Sequence, residues 1–128
     1  MSLADMLNPP AEFTVGGVTL KVRQVGTYDS FVAVERGIRD TRPDADVKEV
    51  QEEAEAALNS GKMPLASLRH IILLALETDQ PDVTLADVQA LTMPDHMEAA
   101  TKIAQYALNG ADSGATAGKA EAAETAAG

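Results

Sequence analysis

The sequence predicts a mainly α-helical fold, in which an N-terminal β-hairpin packs on a small bundle of four to five helices and a disordered C-terminal tail follows. Residues 11–22 alternate polar and apolar side chains on both sides of a Gly-Gly pair, as the two strands of a hairpin do. Several later segments repeat apolar residues at the three- and four-residue spacing of an α-helix. Residues 111–128 contain no branched aliphatic or aromatic side chain and so cannot bury a core.

These patterns divide the 128 residues into three parts. Residues 1–10 form a short arm that ends at a Pro-Pro pair, because proline does not continue a helix. Residues 11–110 form a single hairpin-plus-helices domain of the usual domain size. Residues 111–128 form a disordered tail rich in Ala and Gly.

Gly16 and Gly17 form the turn of the predicted hairpin, because both can adopt the positive φ angles of a two-residue turn. The register that follows pairs apolar residues on one face: Val15 with Val18, Phe13 with Leu20, and Ala11 with Val22. An isolated hairpin is marginally stable in water. We therefore expect this apolar face to pack on helices.

Two helices are predicted between the hairpin and residue 63. Thr27 is the expected N-cap of the first, whose core side consists of Tyr28, Phe31, Val32 and Ile38. The second covers residues 46–60, with Asp46 and Glu49 at capping-box spacing and Gly61 as its end. Its apolar stripe is thin, which predicts a loosely docked or mobile helix.

The third helix begins at Pro64, ends at Glu77, and is apolar around roughly 200° of its circumference, where a surface helix needs only about 100°. One interpretation is a buried middle helix, with the hairpin on one side and the last helix on the other. The alternative is that a partner or another copy of this chain covers the surplus. Leu73 lies outside the apolar arc and fits the first interpretation worst. The candidate partner-binding residues are Leu65, Arg69, Leu73 and Leu76.

Two capped helices are predicted to complete the domain. Thr84 and Asp87 cap a short helix that ends at Leu91. A similar start signal precedes the last helix, which ends near Asn109. It consists of an N-cap at Thr92, a proline in the first turn at Pro94 and an acid at the N3 position, Asp95.

Composition narrows the classes of partner. The formal charge is −10, from 20 acidic and 10 basic residues, and this charge opposes binding to nucleic acids and anionic membranes. The chain has no cysteine, which excludes disulfides and thiol catalysis. Residues 1–10 lack the features of a signal peptide, and no segment reaches the roughly 18 apolar residues of a membrane span. We therefore expect a cytoplasmic protein.

No catalytic, cofactor or metal site is predicted. His70 and His96 lie on separate helical segments without metal-ligand spacing. The Gly16-Gly17 pair is followed by a strand, whereas a phosphate-binding loop is followed by a helix. The acidic residues of the second helix point to different sides, as on a solvated face. The sequence thus favours a non-enzymatic protein.

Residues 81–103 resemble the tail assembly chaperones of tailed bacteriophages, which show a run of threonine, acidic-aliphatic pair, leucine and proline-aspartate before a helix. The matching positions here are Thr84, Asp87-Val88, Leu91, Pro94-Asp95 and Ile103. The front end is also similar, because a short hairpin containing Phe13, Val15, Gly16 and Gly17 leads into a helix. Together the similarities cover roughly residues 12–108.

The resemblance implies a small helical protein that binds the tape measure protein, keeps it soluble in the host cytoplasm and helps to recruit tail tube subunits. Such a chaperone is not retained in the mature virion. The family often makes a longer product by ribosomal frameshifting, and it supplies no catalytic or metal residues. A long apolar helical client also suits recognition of a helix in a groove.

Two other functions are compatible with the sequence. A head-tail connector or neck subunit would be a permanent structural part, so its presence in purified virions would separate it from a chaperone. An acidic inhibitor that mimics nucleic acid would need ordered rows of carboxylates on a rigid surface. The carboxylates here cluster on one weak helix and in loops, which disfavours the inhibitor.

Overall fold

The computed structural model describes residues 3–110, so the predicted tail at 111–128 lies outside the described residues. Within this range the chain is mainly helical and contains one two-stranded antiparallel sheet. The elements in order are α1 (Leu3–Leu7), β1 (Ala11–Val15), β2 (Val18–Val22), α2 (Thr27–Thr41), α3 (Val47–Ser60), α4 (Leu65–Glu77), α5 (Leu85–Leu91), a 3-10 turn (Pro94–His96) and α6 (Met97–Asn109). The predicted fold class, a hairpin on a small helical bundle, is confirmed for the described part of the chain.

The hairpin has the predicted register, from Ala11 opposite Val22 to Val15 opposite Val18. Ala11, Val15 and Val22 are buried, and the ring of Phe13 meets the ring of Tyr106 on α6 edge to face at 6.0 Å. The apolar face therefore packs on helices, as expected, except at Val18. Val18, beside the turn, is 57% exposed.

The turn depends on two positive φ angles, +58° at Gly16 and +82° at Gly17. We expect Gly16→Ala and Gly17→Ala each to reduce the free energy of unfolding by about 1–2 kcal/mol, the usual cost of a left-handed non-glycine residue. Gly16→Ala should cost more, because its Cβ would lie 3.3 Å from Cε1 of His96, whereas the Cβ at Gly17 meets nothing within 4 Å. Urea unfolding of both variants measures the difference. Adding His96→Ala should remove the excess at Gly16, and a persisting excess would contradict this explanation.

Helix α4 is the centre of the fold. It makes its most extensive contact with α2 and also packs on α5, α6 and β2. Its fully buried side chains are Ser67, Ile71, Ile72, Ala75 and Leu76. The buried-middle-helix interpretation therefore describes this structure, with one correction: the largest cover comes from α2, and the hairpin contributes a smaller contact through β2.

Helices α2 and α4 approach each other closely at Gly37. A Cβ atom at this position would lie 2.2 Å from the backbone N of Ser67 and 2.3 Å from its Cα. The Ser67 hydroxyl is buried and donates to the carbonyl of Val34 at 2.8 Å, so this hydroxyl is hydrogen-bonded at the contact. Glycine is thus required here by the approach of the other helix.

Helix α3 packs on α2 through Val50, Ala54 and Ala57. Asp46 caps its start by accepting a hydrogen bond from the Lys48 amide at 3.1 Å, and Gly61 ends it in the left-handed conformation. That this helix is mobile stays a prediction.

Three local predictions are wrong. The N-cap of α2 is Gly26, and Thr27 is already helical. Tyr28 is 77% exposed, whereas Ser30 in the same first turn is buried. Thr92 does not cap the last helix. Its buried hydroxyl donates to the carbonyl oxygens of Val88 and Gln89 at the end of α5.

Candidate partner-binding groove

An open apolar groove of about 690 Å³ lies between the tip of the hairpin and α5. We call it the hairpin–α5 groove. The hairpin forms one wall, α5 with the 3-10 turn forms the other, and the loop between α4 and α5 closes one side. Its lining consists of Val15, Gly16, Val18, Leu20, Leu76, Gln80, Pro81, Asp82, Val83, Asp87, Ala90, Leu91 and His96.

The hairpin wall is formed by the turn end of the hairpin, where Val15 is buried and its cross-strand neighbour Val18 is exposed. Leu20 is half-buried, and Val18 turns its side chain to solvent at the groove. The hairpin tip is supported from the opposite wall by His96, whose ring lies against Gly16. Val18 is therefore an exposed apolar side chain on a supported turn.

Helix α5, which forms the other wall, begins with a capping box. The Thr84 amide donates to Asp87 Oδ2 at 2.9 Å, and the Asp87 amide donates to Thr84 Oγ1 at 3.2 Å, which confirms the predicted cap. Helix α5 then presents Ala90 and Leu91 to the groove, while Val88 is buried in the core.

Gln80 occupies the edge of β2 beside the groove. Its Oε1 accepts from the Lys21 amide at 2.9 Å, and its Nε2 donates to the Lys21 carbonyl at 3.0 Å. The side-chain amide therefore takes the place that a neighbouring strand would have at this residue. A partner that enters the groove finds this part of the strand edge already hydrogen-bonded.

Arg23 fixes the start of the α4–α5 loop. Its Nε and Nη2 donate to the two oxygens of Asp79 at 2.8 and 2.9 Å, and Nη2 also pairs with Asp5 of α1 at 2.7 Å. The side chains of Arg23 and Asp79 are only 11% and 14% exposed. Hydrogen bonding to the guanidinium lowers the pKa of Asp79, so this carboxylate is held ionised.

The lining of the groove carries negative charge. Among its described residues the ionisable ones are Asp82, Asp87 and His96, without Lys or Arg. One oxygen of Asp87 is engaged in the α5 cap, whereas Asp82 is exposed and forms no ion pair within residues 3–110. The groove thus combines an apolar floor with an acidic rim.

The four predicted partner-binding residues do not form one surface. Leu76 is fully buried beneath the groove, and Leu73 is half-buried against the core. Arg69 donates from Nε to the Thr92 hydroxyl at 2.9 Å, which holds α4 to the end of α5. Leu65, at the start of α4, is 40% exposed. Leu76 belongs to the apolar arc of the helical wheel, and in the structure it is buried beneath the groove that the hairpin and α5 line.

The residues predicted as structural motif positions lie closer together than the four predicted partner-binding residues do. Gly16, Asp87 and Leu91 line the groove, although the first is far from the other two in sequence. Gly17 and Thr84 flank them in the turn and at the α5 cap, and Pro94 and Asp95 lie in the 3-10 turn that carries His96. Sequence reasoning missed Val18 and Val83 as groove residues. The signal for Val83 was an isolated valine inside a polar loop.

None of the described helices combines the length and the hydropathy needed to cross a bilayer. Across residues 3–110, no three His, Asp or Glu side chains form a cluster that could hold a metal ion. No protein-family model, curated protein sequence or solved structure matches this chain.

Proposed function

We propose that this protein is a non-enzymatic tail assembly chaperone of a tailed phage, which binds the tape measure protein in the hairpin–α5 groove and keeps it soluble in the host cytoplasm. The observation that carries the proposal is the position of the two segments that resemble the chaperone family. The hairpin tip at Gly16 forms one wall of the groove, and the capped helix with Asp87 and Leu91 forms the other.

The groove suits an apolar helical client on physical grounds. An amphipathic helix presents side chains at three- and four-residue spacing, and an apolar groove between two walls accepts such a ridge. Covering the client's apolar stripe removes the surface through which client molecules would aggregate. The net charge of −10 then adds electrostatic repulsion between complexes, which favours solubility.

Co-expression with the large helical tail protein of the same phage tests the proposal. The wild type should move this client into the soluble fraction. Val18→Asp should abolish the effect, because a carboxylate in the groove opposes apolar contact. Val47→Asp is the matched control, since Val47 is also 57% exposed but lies on α3, outside the groove lining. Equal loss in both variants, or no loss in either, would rule out the groove as the binding site.

The composition of purified virions tests the second part of the proposal. A chaperone should be absent from finished particles, whereas a head-tail connector would be present at fixed stoichiometry. Co-purification with tail tube subunits before assembly, but not after it, would support a role in their recruitment. Leu73→Asp would not separate binding from folding, because Leu73 packs against the core.

A further inference from the structure

We infer that the hairpin–α5 groove selects amphipathic helices that carry lysine or arginine beside their apolar stripe, with Asp82 as the contact for that cation. The inference rests on the proposed function and specifies the chemistry of the segment that is bound.

The hydrogen bonds at the edge of β2 favour a helix over a strand as the segment that binds in the groove. Strand addition uses free backbone donors and acceptors. At Lys21, however, the backbone amide and the backbone carbonyl are both hydrogen-bonded to the side chain of Gln80. An added strand would have to displace this amide. Side-chain packing against Val18, Val83 and Leu91 requires no such displacement, because these residues already face the groove.

The preference for a positively charged helix follows from the carboxylates at the rim of the groove. Asp82 is an exposed carboxylate without an ion pair inside residues 3–110, and the groove lining adds Asp87 but no cation. An acidic helix would bring like charges together, and an uncharged helix would gain nothing from the rim. A cationic residue next to the apolar anchors would pair with Asp82 and find no competing Lys or Arg in the lining.

The probes are two synthetic peptides of roughly 14 residues, about the shortest length at which a designed helix persists in water. Both carry leucine at three- and four-residue spacing, and their polar positions are all lysine in one and all glutamate in the other. A third peptide with glutamine at these positions reports apolar binding alone. Fluorescence anisotropy with the full chain gives each Kd. The lysine peptide should bind most tightly and the glutamate peptide least.

Matched variants separate the groove from the general acidity of the chain. Val18→Asp should weaken binding of the lysine peptide roughly tenfold or more, because it loses an apolar contact. It does so while making the protein more acidic. Val47→Asp adds the same charge elsewhere and should not weaken binding. Non-specific attraction predicts no loss with either variant, so that result would overturn the inference.

The role of Asp82 is tested in the same way. Asp82→Asn should weaken binding of the lysine peptide by roughly two- to fivefold, the range of an exposed ion pair, and should affect binding of the glutamine peptide less. Glu52→Gln on α3 removes one charge outside the groove and should have no effect. Equal effects of Asp82→Asn and Glu52→Gln would overturn the inference, as would equal binding of the lysine and glutamate peptides or no binding of either.

Failure of the charge preference and failure of the chaperone proposal give different results. If the lysine peptide binds as described but the tail protein stays insoluble, the groove chemistry stands and the chaperone proposal fails. If Val18 is required for solubility of the client but the glutamate peptide binds as well as the lysine peptide, the chaperone proposal stands and the charge preference fails.

Discussion

Gly37→Ala is expected to destabilise the protein by about 3 kcal/mol, at the upper end of the usual cost of overpacking. The added Cβ would lie 2.2 Å from the backbone N of Ser67, so α2 and α4 would have to move apart along their whole contact. Alanine is better than glycine inside a helix by about 1 kcal/mol, but that gain is smaller than the cost of separating the two helices. Urea unfolding measures the change, and the melting temperature should fall by roughly 15 °C.

Two controls identify the cause. Gly26→Ala should cost at most about 1 kcal/mol, the difference between glycine and alanine at an N-cap, because Gly26 has a negative φ and its Cβ would meet nothing within 4 Å. The cost of Gly37→Ala should persist in a Ser67→Ala background, because the two nearest atoms belong to the backbone. A neutral Gly37→Ala variant would show that the helices separate without cost, and rescue by Ser67→Ala would assign the clash to the hydroxyl instead.

Local signals predicted the hairpin well. The register between Ala11–Val15 and Val18–Val22 follows from a period of two and a Gly-Gly turn, and neither depends on the rest of the chain. The cap of α5 by Thr84 and Asp87 is equally local, because both hydrogen bonds lie within four residues. Such features are determined by neighbouring residues and can be read from sequence.

The candidate site was predictable only in part, because its surface depends on contacts between distant segments. A helical wheel gives the direction of Leu76 but not the element that covers it, and here Leu76 is fully buried beneath the groove that the hairpin and α5 line. The same reasoning cannot show that Val18 stays exposed while Val15, opposite it in the hairpin, is buried. Gly37 did offer a signal, since a glycine inside a helix with apolar neighbours often marks a close approach. Without a structure the partner, Ser67, could not be identified.

Arg23→Ala is the second substitution with a large expected effect. It removes both hydrogen bonds to Asp79 and leaves this mostly buried carboxylate without its cation. Breaking a fully buried pair costs roughly 3–5 kcal/mol, and since some exposure remains here we expect about 2 kcal/mol. The free energy of unfolding of Arg23→Lys should lie between those of the wild type and Arg23→Ala, because an ammonium keeps the charge but cannot form the bidentate contact. Urea unfolding at pH 7 measures both.

The loss should depend on pH in a defined direction. Hydrogen bonding to Arg23 lowers the pKa of Asp79 in the folded state, so the stabilisation is complete above the unfolded pKa of about 3.9 and disappears as the pH falls through the lowered folded value. The difference in unfolding free energy between the wild type and Arg23→Ala should therefore be largest near neutral pH and shrink below about pH 4. A constant difference down to about pH 2 would mean that the lost contact is not with the ionised carboxylate.

Arg42→Ala provides the comparison that assigns the effect to burial. Arg42 also pairs with two acids, Glu49 and Glu53, but its side chain and theirs are largely exposed. Solvent screens such pairs, so we expect no measurable change in stability.

Arg23→Ala should also weaken peptide binding at the groove, because Asp79 is the residue before Gln80 and its pairing fixes the loop that carries Asp82 and Val83. If Arg23→Ala lost stability yet bound the lysine peptide with an unchanged Kd, the loop would be held by other contacts, with Gln80 and Lys21 the first to examine.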